Sequence, residues 1–211
     1  MKFKNFSSKT EALEIEITEN LAYVTGFIIG DGNLGNGYLV RAVEENEQFL
    51  NKFSEIFESV FKRKPKIYFD KYNRSYVAYV HSKKIWQFLS DFGIKTGTKS
   101  RIITIPENIL KSNKSVKQSF VSGIFDAEGS VIQMKDKHHI NGYLRIQFKI
   151  CSHELTKELH ELLKLFGINS KIYHYDTFSM IQINGRTECK KFHDKIGFAH
   201  PIKNQKLRTL L

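Results

Sequence analysis

The sequence contains little cysteine, and its apolar runs are short. Its two cysteines, Cys151 and Cys189, have neither the CxxC spacing of a metal site nor the density of a disulfide framework. We therefore expect both thiols to be reduced and buried, as is typical of an intracellular protein of the cytoplasm or an organelle. The longest apolar stretch near the start, residues 21–30, falls short of the ~20 residues of a membrane helix. We expect a soluble protein with no membrane partner.

Acidic residues are also scarce relative to basic ones. Lysine and arginine number 33 against 22 acidic residues, which gives a net charge of +11 and a pI of about 9.5. Such a surface favours a polyanion, with nucleic acid as the leading candidate, although solvated surface lysines alone would give the same pI. The 17 Phe and 9 Tyr residues supply enough apolar surface for a folded, globular core.

One pattern is present twice. Residues 21–34 (LAYVTGFIIGDGNL) and 119–131 (SFVSGIFDAEGSV) are apolar runs that each end in a small residue, a carboxylate and a glycine. The carboxylates are Asp31 and Glu128, 97 residues apart. Each run is predicted to be a helix, the first capped by Thr18 and stopped by Gly32. The acids then lie at the C-terminal helix ends, where the helix dipole is also negative and a cation is favoured.

Small residues recur at every fourth position of both runs. They are Ala22, Gly26 and Gly30 in the first run, and Ser119, Gly123 and Ala127 in the second. This spacing forms one stripe on a helix and allows two helix backbones to approach closely. We hypothesise that the two helices pack on each other.

Other motifs repeat at offsets of 104 or 105 residues. NGYL recurs at residues 36 and 141, KIY at residues 66 and 171, and a Phe/Ile-Gly-Ile/Phe tripeptide is centred on Gly93 and on Gly197. With strands predicted at 33–44, 66–81, 131–150 and 171–184, the chain is a duplicated αββαββα unit of the α+β class. We place the first repeat at 1–105, with an arm or an irregular packing segment over 1–16, a linker at 106–114, and the second repeat at 115–211.

The two stretches VTGFIIGDG and VSGIFDAEG, in a duplicated αββαββα chain, resemble the LAGLIDADG homing endonucleases in their single-chain, two-repeat form. The resemblance covers residues 18–211. It implies pseudo-two-fold symmetry and antiparallel sheets that form a DNA-binding saddle. It also implies an intron-encoded, monomeric enzyme that needs no protein partner, requires Mg²⁺ or a substituting Mn²⁺, and cuts both strands of a long DNA site to leave 3′ overhangs.

The family motif carries over to particular residues. Its eighth position, the metal-binding catalytic acid, corresponds to Asp31 and Glu128, with the carbonyls of Gly30 and Ala127 as further metal ligands. Lys99 and Lys203 resemble the basic residue beside each family active site. The two acids alone would also suit plain helix-ending turns, and the two lysines would suit simple phosphate contacts.

DNA-contacting residues are expected on the outward faces of the strands. In residues 144–150 the alternation points Leu144, Ile146, Phe148 and Ile150 inward. The predicted DNA contacts are Arg41, Lys66, Tyr68, Lys71, Arg74, Gln133, Lys135, Arg145, Gln147, Lys149, Lys171 and Tyr173. On any sheet such residues also suit a solvated face.

Three alternatives remain beside the endonuclease. An RNA maturase or a non-cleaving DNA-binding regulator would use the same fold. A dinucleotide site at the GxGxxG of residues 30–35 is disfavoured, because a hairpin rather than a helix follows it.

Asp126, at the sixth motif position, either supports the metal site or bonds within its turn. Glu128 is one methylene longer than the usual Asp, which predicts unequal metal positions.

Overall fold

The computed structural model describes residues 2–4, 13–95, 102–136 and 139–211, without the side chains of residues 2–4, 135, 136 and 139–141. The strands of the first half are β1 Lys2–Lys4, β2 Glu14–Glu16, β3 Gly32–Gly35, β4 Leu39–Glu44, β5 Lys66–Asp70 and β6 Ser75–His81. Its helices are α1 Glu19–Asp31, α2 Glu47–Phe61, α3 Lys83–Phe92 and α4 Glu107–Leu110. The second half comprises α5 Lys114–Glu128, β7 Gly129–Asp136, β8 His139–Ile150, α6 His153–Leu165, β9 Lys171–His174, β10 Ser179–Asn184, α7 Arg186–Lys195 and α8 Pro201–Leu210.

The order of these elements confirms the predicted α+β class and the duplicated unit. The first copy runs α1-β3-β4-α2-β5-β6-α3 and the second runs α5-β7-β8-α6-β9-β10-α7, with α8 added after it. In the described ranges no helix is long and apolar enough to cross a membrane.

The N-terminal segment contains paired strands, which argues against the irregular packing segment and leaves the arm as a prediction. Strands β1 and β2 pair in antiparallel fashion, with Lys2 opposite Glu16 and Lys4 opposite Glu14. Strands of three residues are too short to show a hydrophobic period, so sequence patterns do not predict them.

Helices α1 and α5 pack on each other through the stripes of small residues, which confirms the hypothesis. A Cβ added at Gly26 would lie closer than 3.0 Å to the Phe120 carbonyl oxygen, and one at Gly123 equally close to the Tyr23 carbonyl oxygen. The two contacts are reciprocal, since residues 23 and 26 correspond to residues 120 and 123. Thr18 Oγ1 caps α1 as predicted, accepting the Leu21 N–H at 3.2 Å.

The close packing of α1 on α5 also decides how the chain divides into compact units. One unit comprises Met1–Lys99 with Pro106–Ala127, and the other Ser100–Ile105 with Glu128–Leu211. Helix α5 therefore groups with the first repeat, although its sequence belongs to the second. The predicted boundaries at 105 and 115 follow the sequence duplication, which compactness does not test, and they stay a prediction.

The first unit contains an antiparallel sheet of strand order β3-β4-β6-β5. Helices α1, α2 and α3 contact its central strands. Between sheet and helices lies a core rich in phenylalanine, in which the Phe27 ring lies 5.5 Å from Phe49 and 4.8 Å from Phe53. Val40 and Ala42 of β4 and Val80 of β6 face this core and are buried. On the opposite face of the sheet, Arg41 and Lys66 are exposed.

The second unit contains the equivalent sheet, of order β7-β8-β10-β9, with α6 and α7 against β8, β9 and β10. Leu144, Ile146, Phe148 and Ile150 are buried, which confirms the predicted alternation in β8. Of the two cysteines, Cys189 is buried as expected, whereas Cys151 is only half-buried.

One repeated motif does not mark equivalent positions. NGYL at residue 36 forms the turn between β3 and β4, where Gly37 has φ 66°. NGYL at residue 141 lies within β8, where Tyr143 pairs with Met134 of β7. The second hairpin is longer, so a shared tetrapeptide occupies a turn in one repeat and a strand in the other. KIY, by contrast, begins the edge strand of each sheet, β5 and β9.

Candidate metal and nucleic-acid sites

The end of α1 is fixed by a close passage of two backbone segments. Asp31 is the last helical residue, and the Gly32 N–H donates to the Ile28 carbonyl. Gly32 is extended (φ −124°) rather than left-handed. Position 32 requires a glycine because a Cβ there would lie 2.7 Å from both the Arg41 carbonyl oxygen and the Ile28 Cα. The predicted helix end is confirmed. The glycine is required there by the close approach of two backbone segments and not by a left-handed conformation.

Asp31 and Glu128 occupy the same position in their helices. Each is the last residue of its helix, α1 or α5, and each is half-buried. The last turn of neither helix contains a basic residue. The final carbonyls of a helix have no amide four residues ahead of them within the helix, and this applies to Gly30 and Ala127. The two helix ends therefore offer carboxylate and carbonyl oxygens, the donor set that Mg²⁺ prefers.

Neighbouring side chains do not turn either end into a larger metal cluster. Across the described ranges, no group of three or more His, Cys, Asp and Glu residues is arranged to hold a metal ion. A metal ion at these ends would therefore depend on backbone carbonyls, water or substrate oxygens besides the carboxylates.

Asp126 bonds to the other helix. The Tyr23 hydroxyl of α1 donates to Asp126 Oδ2 at 2.8 Å, and Asp126 is fully buried. Burial, and then the charge of Asp126, raise the pKa of the Tyr23 phenol far above its usual range. The bond fixes how α5 is placed on α1 two residues before Glu128.

The two predicted lysines differ in what the structure records. Lys99 lies outside the described residues. Lys203 is half-buried near the start of α8, whose first turn is capped by His200, with Nδ1 accepting the Lys203 N–H at 3.5 Å. Helix α8 contacts β7, the strand that follows directly after Glu128. The fold thus brings the element that bears Lys203 to the strand adjoining the acid.

A polar row crosses the outward face of the first sheet. Register places Asn33 opposite Arg41, Arg41 opposite Tyr79, and Tyr79 opposite Lys66, so all four share one face. Arg41 Nε donates to Asn33 Oδ1 at 2.7 Å. The Tyr68 ring on the same face lies 5.6 Å from the Tyr79 ring. This row begins two residues after Asp31 and spans the sheet to its far edge.

The second sheet carries the equivalent row. Ser130 is opposite Gln147, Gln147 opposite Gln182, and Gln182 opposite Lys171. This row likewise begins two residues after its acid, Glu128. Both rows end on the lysine of the repeated KIY motif.

Further polar residues flank the row of the second sheet. Arg145 Nε donates to Asn184 Oδ1 at 2.8 Å, and Lys149 Nζ lies 3.9 Å above the Phe178 ring. Tyr173 lies opposite Met180, and Met180 lies opposite Lys149, so Tyr173 shares this face.

The remaining predicted contacts lie elsewhere. Lys71 and Arg74 are exposed in the β5–β6 turn, next to the strands rather than on their face. Gln133 is exposed but opposite Leu144, and so on the core side of its sheet. The side chain of Lys135 lies outside the described part. The predicted set omits Asn33, Tyr79, Gln182 and Asn184, which lie on the same faces as these rows and which the alternation of β3, β6 and β10 would have indicated. Of these, Gln182 is buried.

Comparison with known proteins identifies the fold. Residues 115–197 match the family model described as LAGLIDADG-like domain. The structure of I-DmoI in complex with DNA and Mn superposes with a TM-score of 0.63 at 20% identity, covering 88% of this chain and 99% of that one. The N-terminal LAGLIDADG domain of DUF199/WhiA superposes with a TM-score of 0.60 at 15% identity, covering 89% of this chain and 87% of the other. The second repeat thus matches the LAGLIDADG-like domain, and the chain as a whole shares its fold with these two structures.

Sequence relatives carry varied names. A glutamine–fructose-6-phosphate aminotransferase of Methanocaldococcus jannaschii is 25% identical over 206 residues, which are 92% of this chain and 18% of the relative. A replication factor C small subunit of Thermococcus kodakarensis is 28% identical over 199 residues, 90% of this chain and 21% of the relative. The chain spans about a fifth of these curated relatives. Because their names differ so widely, the shared region does not account for the named activities.

Proposed function

We propose that this chain is a site-specific, intron-encoded DNA endonuclease that hydrolyses one phosphodiester on each strand of a long DNA site and leaves 3′ overhangs. The observation that carries the proposal is the placing of Asp31 and Glu128 at corresponding ends of α1 and α5. A carboxylate at a helix C-terminus opposes the dipole by ~0.3–1 kcal/mol, so the same choice in both repeats favours a bound cation. Structural likeness to I-DmoI, described as a homing endonuclease, supports the same activity.

Asp31 and Glu128 would each hold a divalent ion, Mg²⁺ or a substituting Mn²⁺, together with the carbonyls of Gly30 and Ala127. When bound, such an ion activates water and offsets the charge that develops on the scissile phosphate. Lys203, and Lys99 by its place in the sequence, would orient the phosphate or its attacking water. Glu128 is longer than Asp31 by one methylene, so the two strands need not be cut at equal rates.

The two polar rows would read the DNA. A two-stranded ribbon fits the major groove, where arginine pairs with guanine and glutamine with adenine. Arg41 in one row and Gln147 in the other occupy equivalent register positions with different preferences. The proposed target is therefore asymmetric, and one chain suffices to bind it.

The test is a cleavage assay on linear DNA. The substrate is the gene that carries the reading frame, prepared without the intron that would encode the protein. Wild-type protein with Mg²⁺ should cut both strands, and EDTA should abolish cutting. Asp31→Asn and Glu128→Gln should each lower the rate at least ~100-fold on one strand. Glu55→Gln removes the same charge from the exposed face of α2 and serves as the matched control. Wild-type rates in both acid variants would refute the site assignment.

A non-cleaving DNA-binding function is the second candidate. The structural likeness to the N-terminal LAGLIDADG domain of DUF199/WhiA, at a TM-score of 0.60, favours it. Specific binding that persists in EDTA, without any strand cut in Mg²⁺ or Mn²⁺, would establish this function. An RNA maturase would instead bind the folded intron RNA more tightly than the DNA.

A further inference from the structure

A buried hydrogen bond joins α1 to the last turn of α5, and the duplicated helices do not repeat it. The Tyr23 hydroxyl donates to Asp126 Oδ2 at 2.8 Å, and both side chains are buried. The residues at the corresponding positions are Phe120 in α5 and Ile29 in α1, whose side chains contain no polar atom. The last turn of α5 is therefore held by a polar bond, whereas the equivalent place in α1 is apolar.

This bond acts on the turn of α5 that carries Glu128. Asp126 precedes Glu128 by two residues, which is about 3 Å along the helix axis. Asp31, at the end of the other helix, lies eight residues after Tyr23, which is about 12 Å along α1. The Tyr23 side chain thus reaches from the middle of α1 to the end of α5. Loss of the bond should free the end of α5 and leave the end of α1 in place.

A hydrogen bond fixes a helix end more narrowly than apolar contact does. It requires a short donor–acceptor distance and a favourable angle, and a bond to a charged acceptor is stronger than a neutral one. Glu128 has one more methylene than Asp31 and so one more rotatable bond, whose freedom opposes a single placement of the carboxylate. The helix end that carries the longer acid is the one that the bond holds.

We propose that Tyr23 is a positioning residue for Glu128, that it acts through Asp126, and that it thereby sets the rate at which one DNA strand is cut. This inference rests on the proposed endonuclease function, in which each acid serves one strand. Displacing a reacting group by about 1 Å can lower a rate by ~100-fold. Residues that orient a metal ligand typically contribute ~10–100-fold to activity. The effect of Tyr23 should therefore be large on one strand and small on the other.

Strand-resolved cleavage tests the effect on function. The two strands of the target carry different end labels, and rates are measured under single-turnover conditions with Mg²⁺. Tyr23→Phe should slow, by ~10-fold or more, the same strand that Glu128→Gln slows. The rate on the other strand should change by less than about twofold, because the end of α1 keeps its place.

Thr25→Val is the matched control for the cleavage assay. It removes a buried hydroxyl from the same helix, but this hydroxyl donates within α1, to the Leu21 carbonyl at 2.8 Å. The ratio of the two strand rates should stay at the wild-type value in this variant. A purely structural role of Tyr23 would likewise slow both strands together and leave the ratio unchanged.

Amide hydrogen exchange tests the positioning without DNA or metal. In Tyr23→Phe, the amides of residues 126–129 should exchange roughly tenfold faster than in the wild type, whereas those of residues 29–32 should keep their protection. Equal changes at both helix ends, or equal slowing of both strands, would overturn the proposal. If the wild type cut neither strand, the endonuclease function would fail, and the exchange rates would still decide whether Tyr23 fixes the end of α5.

Discussion

The helix seam and the sheet faces of this protein have diverged to different degrees since duplication. At the seam between α1 and α5, Gly26 and Gly123 make reciprocal contacts with backbone atoms of the opposite helix. On the outward faces, Arg41 and Tyr79 of the first sheet stand where the second has Gln147 and Gln182. Where backbone touches backbone, only a glycine fits. Where side chains point outward from the sheet, substitution is allowed, and on the proposed function it selects the DNA sequence that is bound.

Filling the seam should have the largest effect on stability. Gly26→Ala and Gly123→Ala each place a methyl against a backbone carbonyl, and we expect each to cost about 3 kcal/mol as overpacking. This loss overcomes the ~0.5–1 kcal/mol that alanine normally gains over glycine in a helix. Urea unfolding gives the measurement.

Gly35→Ala is the control for the seam variants, because its Cβ would meet only the Leu39 side chain, at 3.5 Å or more. Its unfolding midpoint should stay near that of wild type. Equal midpoints for all three variants would mean that the seam is no more constrained than a surface strand.

The Tyr23–Asp126 hydrogen bond between α1 and α5 breaks the symmetry of the seam. Its removal should have the next largest effect on stability. Tyr23→Phe removes the hydrogen bond to a buried carboxylate, and such bonds contribute about 1.5–3 kcal/mol. The equivalent of Tyr23 in α5 is Phe120, so the variant makes the seam more symmetric and yet less stable. Chemical unfolding at pH 7 measures the loss, and Tyr76→Phe, on the first sheet, is the control.

The same bond predicts a dependence on alkaline pH. The pKa of Tyr23 is raised by burial and by Asp126. The folded state therefore retains a proton that the unfolded state releases as the pH rises above the ordinary tyrosine pKa of about 10. Stability should fall above that pH in the wild type and fall less steeply in Tyr23→Phe. Parallel curves would contradict this role for Tyr23.

Exchanging the equivalent face residues should alter sequence preference in one half of the target. On the proposed function, Arg41→Gln should weaken discrimination at the base pair that Arg41 reads by ~1–3 kcal/mol, and Gln147→Arg should act in the other half. Binding to a panel of single-base-pair variants of the target measures both. If each substitution changed preference equally in both halves, the assignment of one row to one half-site would fail.

How far the sequence predicts the molecule depends on the range of the interaction. The helices, their caps and the alternation in β8 are local, and the repeated motif revealed the duplication. The Tyr23–Asp126 bond links positions 103 residues apart, so no local period reveals it. Gln133 lies on the core side of β7 with the buried Val131, because the pairing of β7 with β8 decides which face turns outward, and no local pattern reveals that pairing.

The smallest effects should come from the one feature that both faces share. Lys66 and Lys171 are exposed at the far end of each polar row. Because they occupy the same position on two faces that otherwise differ, we expect them to contact phosphate rather than a base. Lys66→Ala and Lys171→Ala should each lower the slope of log K against log salt by ~0.9, without changing the preferred sequence. Lys52→Ala, on the exposed side of α2, should leave the slope unaltered. A change of base preference in either row variant would instead make that lysine part of the sequence-reading surface, and the two faces would then differ along their whole length.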